Sequence, residues 1–257
     1  KKKTVRVVSD LQNDRGRSMA VQILDKQQRQ VAFKKLPVQN GRQELTIALP
    51  KALLWDEFNP ALYTAKVQLL NTNAKPVHEI SAVFGMREMG NQNSLLWVNG
   101  RRLFLRGTLE CAIFPLTGHP PMDKKGWQKV FGAAKAYGLN HLRFHSWCPP
   151  KAAFEVADSM GFYLQVELPF WSLNAGKDEK TNRFLEEEAM RISSEYGNHP
   201  SFCLWSMGNE LQGDFNWLTG LMKKVRQSDP RHLYTTTTFT FQKDHGRWPE
   251  PDDDFYI

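Results

Sequence analysis

The sequence predicts a small antiparallel β-sandwich over residues 1–88, followed over residues 95–257 by parallel strands that alternate with helices. Three observations support this fold class. The first part consists of short alternating runs separated by turn residues, whereas the second part alternates apolar runs with helical periodicity. In addition, several of the later strands end in polar and aromatic residues, which is typical of a barrel enzyme.

Six short runs predict the strands of the sandwich. They are TVRVVSD, AVQILD, QVAFKKL, QELTIAL, YTAKVQLL and HEISAVFGM. The turn-forming stretches QNDRG, DKQQ, QNG and NTNAKP separate them, and no useful helical period interrupts them. The polar segment MGNQNS (89–94) is predicted to be a linker.

The second part begins with a predicted hairpin, LLWVNGRRLFL, which turns at Asn99-Gly100. The first strand of the parallel series is predicted at 103–108, which would place Arg106 near its carboxyl end. Later strands are predicted in HLRFHS (141–146), FYLQVEL (162–168), SFCLWSMG (201–208) and HLYTTTTF, and DDDFYI resembles the start of a sixth.

Four helices alternate with these strands. The first is capped by Asp123 and ends at Gly138, and the second begins after Pro149-Pro150 and ends at Gly161. The third spans about 182–196, and Asp214 caps the fourth. The predicted inward positions of the first and third helices are Trp127, Val130, Phe131, Ala134, Tyr137, Phe184, Leu185, Ile192 and Tyr196. Such alternation implies parallel strands with right-handed crossovers, in either an open doubly wound sheet or part of a (β/α)8 barrel.

The residues that could take part in catalysis or binding lie at the strand ends. No G-x-G-x-x-G or P-loop follows the first strand, which argues against a nucleotide-binding sheet. The polar and aromatic residues at the strand ends are Arg106, Arg143, His145, Trp147, Glu167, Trp171, Asn209 and Glu210. Two carboxylates on one rim suit glycoside hydrolysis, and tryptophans offer flat apolar walls for a sugar ring.

Composition excludes several other classes. The net charge of +7 comes from scattered residues with no basic stripe, so we expect no nucleic-acid partner. No run of about 18 apolar residues occurs, so we expect no membrane span. The three cysteines lack metal-type spacing, and we expect neither a metal nor a cofactor in this chain. They leave the compartment open; we favour a periplasmic or secreted protein over a cytoplasmic one.

Six segments together resemble the family 2 glycoside hydrolases, the group of β-galactosidases, β-glucuronidases and β-mannosidases. They are LLWDEFNPALY (53–63), VFGMRE (83–88), VNGRRLFLRGT (98–108), GLNHLRF (138–144), ADSMGFYLQVE (157–167) and YGNHPSFCLWSMGNE (196–210). The last segment is the most specific, because it joins an Asn-His-Pro, an apolar strand and a Gly-Asn-Glu. The resemblance implies an immunoglobulin-like sandwich followed by the first five to six units of a TIM barrel.

The resemblance also implies a retaining exo-β-glycosidase of β-galactosidase type, acting on a β-linked oligosaccharide or glycoside. Glu210 would be the general acid/base, Asn209 would bind the 2-hydroxyl of the sugar, and Arg143 would orient a carboxylate. We expect Glu167, His145, Trp147 and Trp171 to complete the substrate site. The nucleophile would lie beyond Ile257, in a longer enzyme of which this chain is an internal segment, and Glu250 is not assigned to that role.

Departures from the family pattern bear on specificity. RGTLECA lacks the His-Glu that usually follows the first barrel strand, and HSWCPP replaces a Ser-His-Tyr-Pro run. The sugar preference and the magnesium site of the large galactosidases therefore stay open, as does a divalent cation in a full-length enzyme. A homo-oligomer stays open as well.

Two other functions stay open at this point. One is a non-catalytic carbohydrate-binding relative that kept the pocket, and the other is a nucleotide-dependent α/β enzyme. Local alternatives also exist, since Asn209 could be a helix cap and Arg143 could be a structural ion-pair partner of Glu167.

Overall fold

The computed structural model describes residues 3–11, 17–38, 41–241 and 252–256. Contacts divide the chain into two compact units, Lys1–Trp55 with Ala61–Met86 and Asp56–Pro60 with Arg87–Ile257. The predicted turn QNDRG and most of the predicted turn QNG lie outside the described residues, as does Glu250.

The first unit is an antiparallel sandwich, and all six predicted strands are confirmed. They are β1 (Thr4–Leu11), β2 (Ser18–Leu24), β3 (Gln30–Pro37), β4 (Gly41–Ala48), β5 (Tyr63–Leu70) and β6 (Pro76–Phe84). One sheet pairs β1 with β4, and the other has the order β3-β2-β5-β6. Met19, Val21 and Ile23 of β2 share one buried core with Leu45 and Ile47 of β4. This spacing of two residues is what a strand with one buried face requires.

A three-stranded antiparallel meander opens the second unit. Its strands are β7 (Met89–Gln92), β8 (Leu95–Val98) and β9 (Arg101–Leu103). The predicted hairpin is confirmed, with positive φ at both Asn99 and Gly100, as a type I′ turn needs. The predicted linker is wrong for residues 89–92, which form strand β7 and pair with β8. Pairing between strands uses backbone hydrogen bonds, so a polar segment can form a strand as well.

A five-stranded parallel sheet follows. It consists of β10 (Gly107–Glu110), β11 (His141–Phe144), β12 (Tyr163–Glu167), β13 (Phe202–Ser206) and β14 (Leu233–Thr235). The intervening helices are α1 (Lys124–Ala136), α2 (Lys151–Met160), α3 (Glu179–Tyr196) and α4 (Phe215–Ser228). The spatial order of the strands equals their chain order. That order is the one of a barrel, whereas a doubly wound sheet reverses direction at a switch point.

The predicted helix boundaries depended on capping residues. Asp123 accepts a hydrogen bond from the Gly126 amide, and Asp214 accepts from the Trp217 amide. Gly161 ends α2 in the left-handed conformation. Helix α3 begins three residues earlier than predicted, because Asp178 caps it by accepting from the Thr181 amide.

Several predictions about local placement were wrong. The first parallel strand is 107–110 rather than 103–108, so Arg106 precedes the strand, where it bonds the Gly138 carbonyl and Glu57. Tyr137 is 86% exposed, because α1 ends at Ala136 and Tyr137 is only its C-cap residue, and Phe184 on α3 is 50% exposed. The predicted sixth strand is wrong for described residues 252–256, which form no strand. The Asp254 carboxylate there accepts a hydrogen bond from the backbone amide of Tyr234 in β14.

The two faces of the parallel sheet differ in chemistry. The face that packs on the helices carries apolar residues, namely Leu142, Phe144, Leu164, Val166, Trp205 and Tyr234. The alternating positions form the opposite face and include His141, Arg143, Gln165, Glu167, Ser206 and Thr235. A polar interior face whose residues reach the carboxyl ends of the strands is where the candidate site lies.

Candidate active site

Arg143 is the centre of the polar cluster. Its Nε donates to Glu167 Oε1 over 2.6 Å, and its Nη2 contacts both Asn209 Oδ1 and Thr238 Oγ1, the latter over 2.8 Å. The predicted ion pair between Arg143 and Glu167 is therefore present. Strands β11 and β12 are parallel neighbours with Arg143 opposite Gln165, so the guanidinium lies within reach of Glu167 at the end of β12.

Glu167 is fully buried, and both of its carboxylate oxygens have donors. Oε1 accepts from Arg143 and from Gln165 Nε2 (3.2 Å), and Oε2 accepts from the Ser146 amide over 2.7 Å. Ser146 holds this amide in place with a positive φ of 58°, a conformation that non-glycine residues seldom adopt. Glu167 is thus placed as the counterion that fixes Arg143, with its oxygens already occupied.

Asn209 lies beside the arginine and is 2% exposed. Its backbone amide donates to the Phe170 carbonyl over 3.0 Å, and its Oδ1 accepts from Arg143 and from Thr238 Oγ1 (3.0 Å). Its Nδ2 is buried and has no hydrogen-bond partner within the described ranges. A buried amide nitrogen without a partner is costly, which is typical of a group that a ligand satisfies.

Glu210 follows on the same loop and is half-buried. Its φ is +47°, and the preceding Gly208 has a φ of +154°. A second loop runs alongside, with the Gln212 amide donating to the Ser172 carbonyl and the Ala175 amide donating to the Gln212 carbonyl. Strained backbone held by flanking hydrogen bonds is characteristic of functional sites.

His145 and Trp171 form an edge-to-face pair with ring centroids 5.3 Å apart. The His145 amide donates to the Glu110 carbonyl, which ties it to the end of β10. Trp171 is 62% exposed, so much of its side chain is accessible to a ligand. Trp147 is placed differently: it is half-buried against Phe144 and Trp127, and its Nε1 donates to the Glu110 carbonyl.

Two residues at this rim were not predicted from the sequence. Thr238 is 1% exposed and bonds both Arg143 and Asn209, but a run of four threonines indicates no more than a strand. Glu110 ends β10, and burial raises the pKa of its carboxyl group. Strand β10 was predicted to begin four residues too early, so Glu110 was not recognised as its last residue. A carboxylate at a strand end would otherwise have been a candidate site residue.

The described residues contain no group of three or more histidine, cysteine, aspartate or glutamate side chains able to hold a metal ion. Nor does any described helix combine the length and apolar character that crossing a membrane would require.

Comparison with known proteins shows the family of this chain. The model of the TIM barrel domain of glycosyl hydrolases family 2 matches residues 90–242, and a second model of the same family matches residues 1–87. The chain belongs to glycosyl hydrolase family 2. Its sandwich and parallel sheet are accordingly the immunoglobulin-like domain and part of the (β/α)8 barrel of that family, as the sequence predicted.

Relatives within family 2 are similar over most of the chain. A β-galactosidase of Vibrio cholerae is 26% identical over 178 residues, covering 66% of this chain, and one of Yersinia enterocolitica is 24% identical over 195 residues, covering 74%. The chain spans only 17% and 18% of those two proteins.

Solved structures share the fold. The β-glucuronidase of Parabacteroides merdae superposes with a TM-score of 0.78 at 22% identity, over 90% of this chain and 31% of that one. A family 2 member of Bacteroides cellulosilyticus gives 0.80 at 23% identity, over 94% and 34%.

Proposed function

We propose that this chain supplies the acid/base half of a retaining exo-β-glycosidase site, with Glu210 as general acid and general base. The observation that carries the proposal is the position of Glu210. It stands on a strained, half-buried loop directly after Asn209, whose side-chain amide is bonded to the Arg143–Glu167 pair. Membership of a glycoside hydrolase family supports assigning carbohydrate chemistry to this rim.

In the first step the Glu210 carboxyl group gives its proton to the glycosidic oxygen while the bond from that oxygen to the anomeric carbon breaks. A second carboxylate attacks the anomeric carbon and forms the glycosyl-enzyme ester. In the next step the Glu210 carboxylate takes a proton from water, and the resulting hydroxide displaces the ester. We place the second carboxylate in a part of the protein outside the described residues.

The other residues bind and orient the sugar. Asn209 Nδ2, buried and without a described partner, donates to a ring hydroxyl, and we assign the 2-hydroxyl to it. Arg143 uses Nε and Nη2 within the cluster, which leaves Nη1 to orient an incoming carboxylate. The exposed indole of Trp171 gives the sugar an apolar platform, and the ring of His145 packs edge-to-face against that indole.

The substrate class follows from the same rim and from its relatives. We propose a β-linked galactoside-like glycoside, because two similar proteins are β-galactosidases. The exposed indole of Trp171 and the uncharged amide of Asn209 suit an uncharged pyranose.

The test is Glu210→Gln in a protein that contains this chain and continues beyond Ile257. Hydrolysis of a glycoside with a poor leaving group is expected to fall about 10²–10⁴-fold, the usual worth of general acid catalysis. An activated aryl glycoside should lose much less in bond cleavage, because its leaving group needs no proton. Glu187→Gln, on the exposed side of α3, is the matched control.

Equal losses for both substrates at the bond-breaking step would contradict a role for Glu210 as the acid. Sugar binding by a wild-type protein that turns over no glycoside would instead favour a non-catalytic carbohydrate-binding relative.

A further inference from the structure

Thr238 has no role in the function proposed above, yet its hydroxyl group lies inside the polar cluster. Oγ1 is 2.8 Å from Arg143 Nη2 and 3.0 Å from Asn209 Oδ1. The residue is 1% exposed, so water does not compete freely for these contacts. The three side chains therefore form a closed triangle of hydrogen bonds.

Donor and acceptor counting fixes the direction of each bond. A guanidinium nitrogen can only donate, so the Thr238 oxygen accepts from Arg143 and keeps its single proton for Asn209. The Asn209 atom that faces both groups must then be the carbonyl oxygen. The amide nitrogen is consequently turned away from the cluster, where it is buried without a described partner.

The backbone around Thr238 is itself firmly held. Thr237 Oγ1 accepts from the Leu211 amide over 3.0 Å, which ties the threonine run to the loop that carries Asn209 and Glu210. Thr236 faces another direction, and its hydroxyl donates to the Asp253 carboxylate over 3.1 Å. Hydrogen bonds of Thr236 and Thr237 thus hold the segment that positions the Thr238 hydroxyl.

We propose that Thr238 is a positioning residue that locks the Asn209 amide with its nitrogen directed at the sugar, and so sets the preference for a substrate bearing a hydroxyl at that point. This inference rests on the proposed function, in which Asn209 binds the 2-hydroxyl. Arg143 also bonds Asn209 Oδ1, so loss of the threonine hydroxyl should loosen the amide rather than release it.

The experiment measures kcat and KM for an aryl β-glycoside and for its 2-deoxy analogue, in a protein that contains this chain and continues beyond Ile257. Thr238→Val keeps the shape of the side chain and removes the hydroxyl. It should lower kcat/KM for the 2-hydroxy substrate about three- to tenfold, the worth of one hydrogen bond, and leave the 2-deoxy analogue within about twofold. Thr238→Ser should restore the discrimination between the two substrates.

Thr236→Val is the matched control, because it also removes one buried hydroxyl but only from the contact with Asp253. It should leave the ratio of the two kcat/KM values unchanged. If Asn209→Ala abolishes the discrimination and Thr238→Val does not alter it, the positioning role is refuted while the proposed function stands. A wild-type protein that hydrolyses neither substrate would overturn the proposed function and this inference with it.

Discussion

Glycine is required at residue 208 by both backbone conformation and space. Its φ of +154° lies in a region that side chains disfavour. A Cβ atom there would lie 2.5 Å from the Phe170 carbonyl oxygen, which is the acceptor for the Asn209 amide. The close approach of these two loops therefore determines where Asn209 and Glu210 stand.

Gly208→Ala is expected to lower the free energy of unfolding by about 1–3 kcal/mol and to reduce glycoside turnover, because the loop must move to relieve the contact. Gly220→Ala on α4 is the control: a Cβ atom added there would meet nothing within 4 Å, and alanine favours a helix. Chemical denaturation of both variants measures the difference. A Gly208→Ala protein as stable as the wild type would contradict this account of the loop.

Within one element, strand β11 combines the buried imidazole of His141 with the half-buried guanidinium of Arg143. His141 Nδ1 lies 3.0 Å from the Tyr163 carbonyl oxygen, to which it donates, and its ring packs where a Cβ on Gly107 would clash at 2.5 Å. Burial, helped by the nearby charge of Arg143, lowers the pKa of His141 to about 4, against the smaller opposing effect of the Tyr163 hydrogen bond. The strand therefore folds with a neutral imidazole beside a guanidinium.

This pKa gives folding a pH dependence of known sign. Between pH 4 and 6.5 His141 binds fewer protons in the folded chain than in the unfolded chain. The contribution of the neutral His141 to the free energy of unfolding is therefore complete above pH 6.5 and is lost as the pH falls toward 4. The full loss from His141 is about 3 kcal/mol. Chemical denaturation at pH 7 and at pH 4.5 measures the free energy of unfolding at each pH. The difference between the two values should be smaller for His141→Gln than for the wild type.

The control is His119→Gln, which makes the same replacement at an exposed position in a loop. Part of the dependence should persist in His141→Gln, because burial also lowers the pKa of His232. Identical pH dependences for His141→Gln and wild type would show that the buried ring is not the cause.

Elements with strong local signals were predictable from sequence, and those set by their neighbours were not. Asp123, Gly161 and the Asn99-Gly100 turn each impose a local geometry, so the features that depend on them were found where expected. Strand β10 was misplaced because its residues are mostly exposed and lack an apolar alternation. Segment 89–92 pairs through its backbone alone, which leaves no side-chain pattern to detect.

The candidate site shows the same division. Arg143, Glu167, Asn209 and Glu210 could be proposed because each ends a predicted apolar strand and together they resemble a known family. Thr238 could not, since a threonine run suits any strand and its importance comes from partners 95 and 29 residues away in the chain. Contacts between strand ends depend on the register of the sheet, which a single sequence does not specify.

At the scale of the whole molecule, the five consecutive parallel strands bring the four site residues to one edge of one sheet. A retaining mechanism also needs a second carboxylate on the other side of the scissile bond. Our account therefore divides the catalytic apparatus, with the acid/base and its supporting cluster in this chain and the nucleophile elsewhere in the protein. The 257-residue chain alone should accordingly hydrolyse no aryl β-galactoside, β-glucuronide or β-mannoside.

The most direct test of that division is chemical rescue of Glu210→Ala by azide, in a protein that contains this chain and continues beyond Ile257. With an activated aryl glycoside the glycosyl-enzyme ester forms, and azide then occupies the space of the missing carboxylate and attacks from that side. Our account predicts that azide accelerates turnover and that the product is the β-glycosyl azide, with retained configuration. An α-glycosyl azide would assign Glu210 as the nucleophile instead, and an absence of rescue would contradict its role as the acid/base.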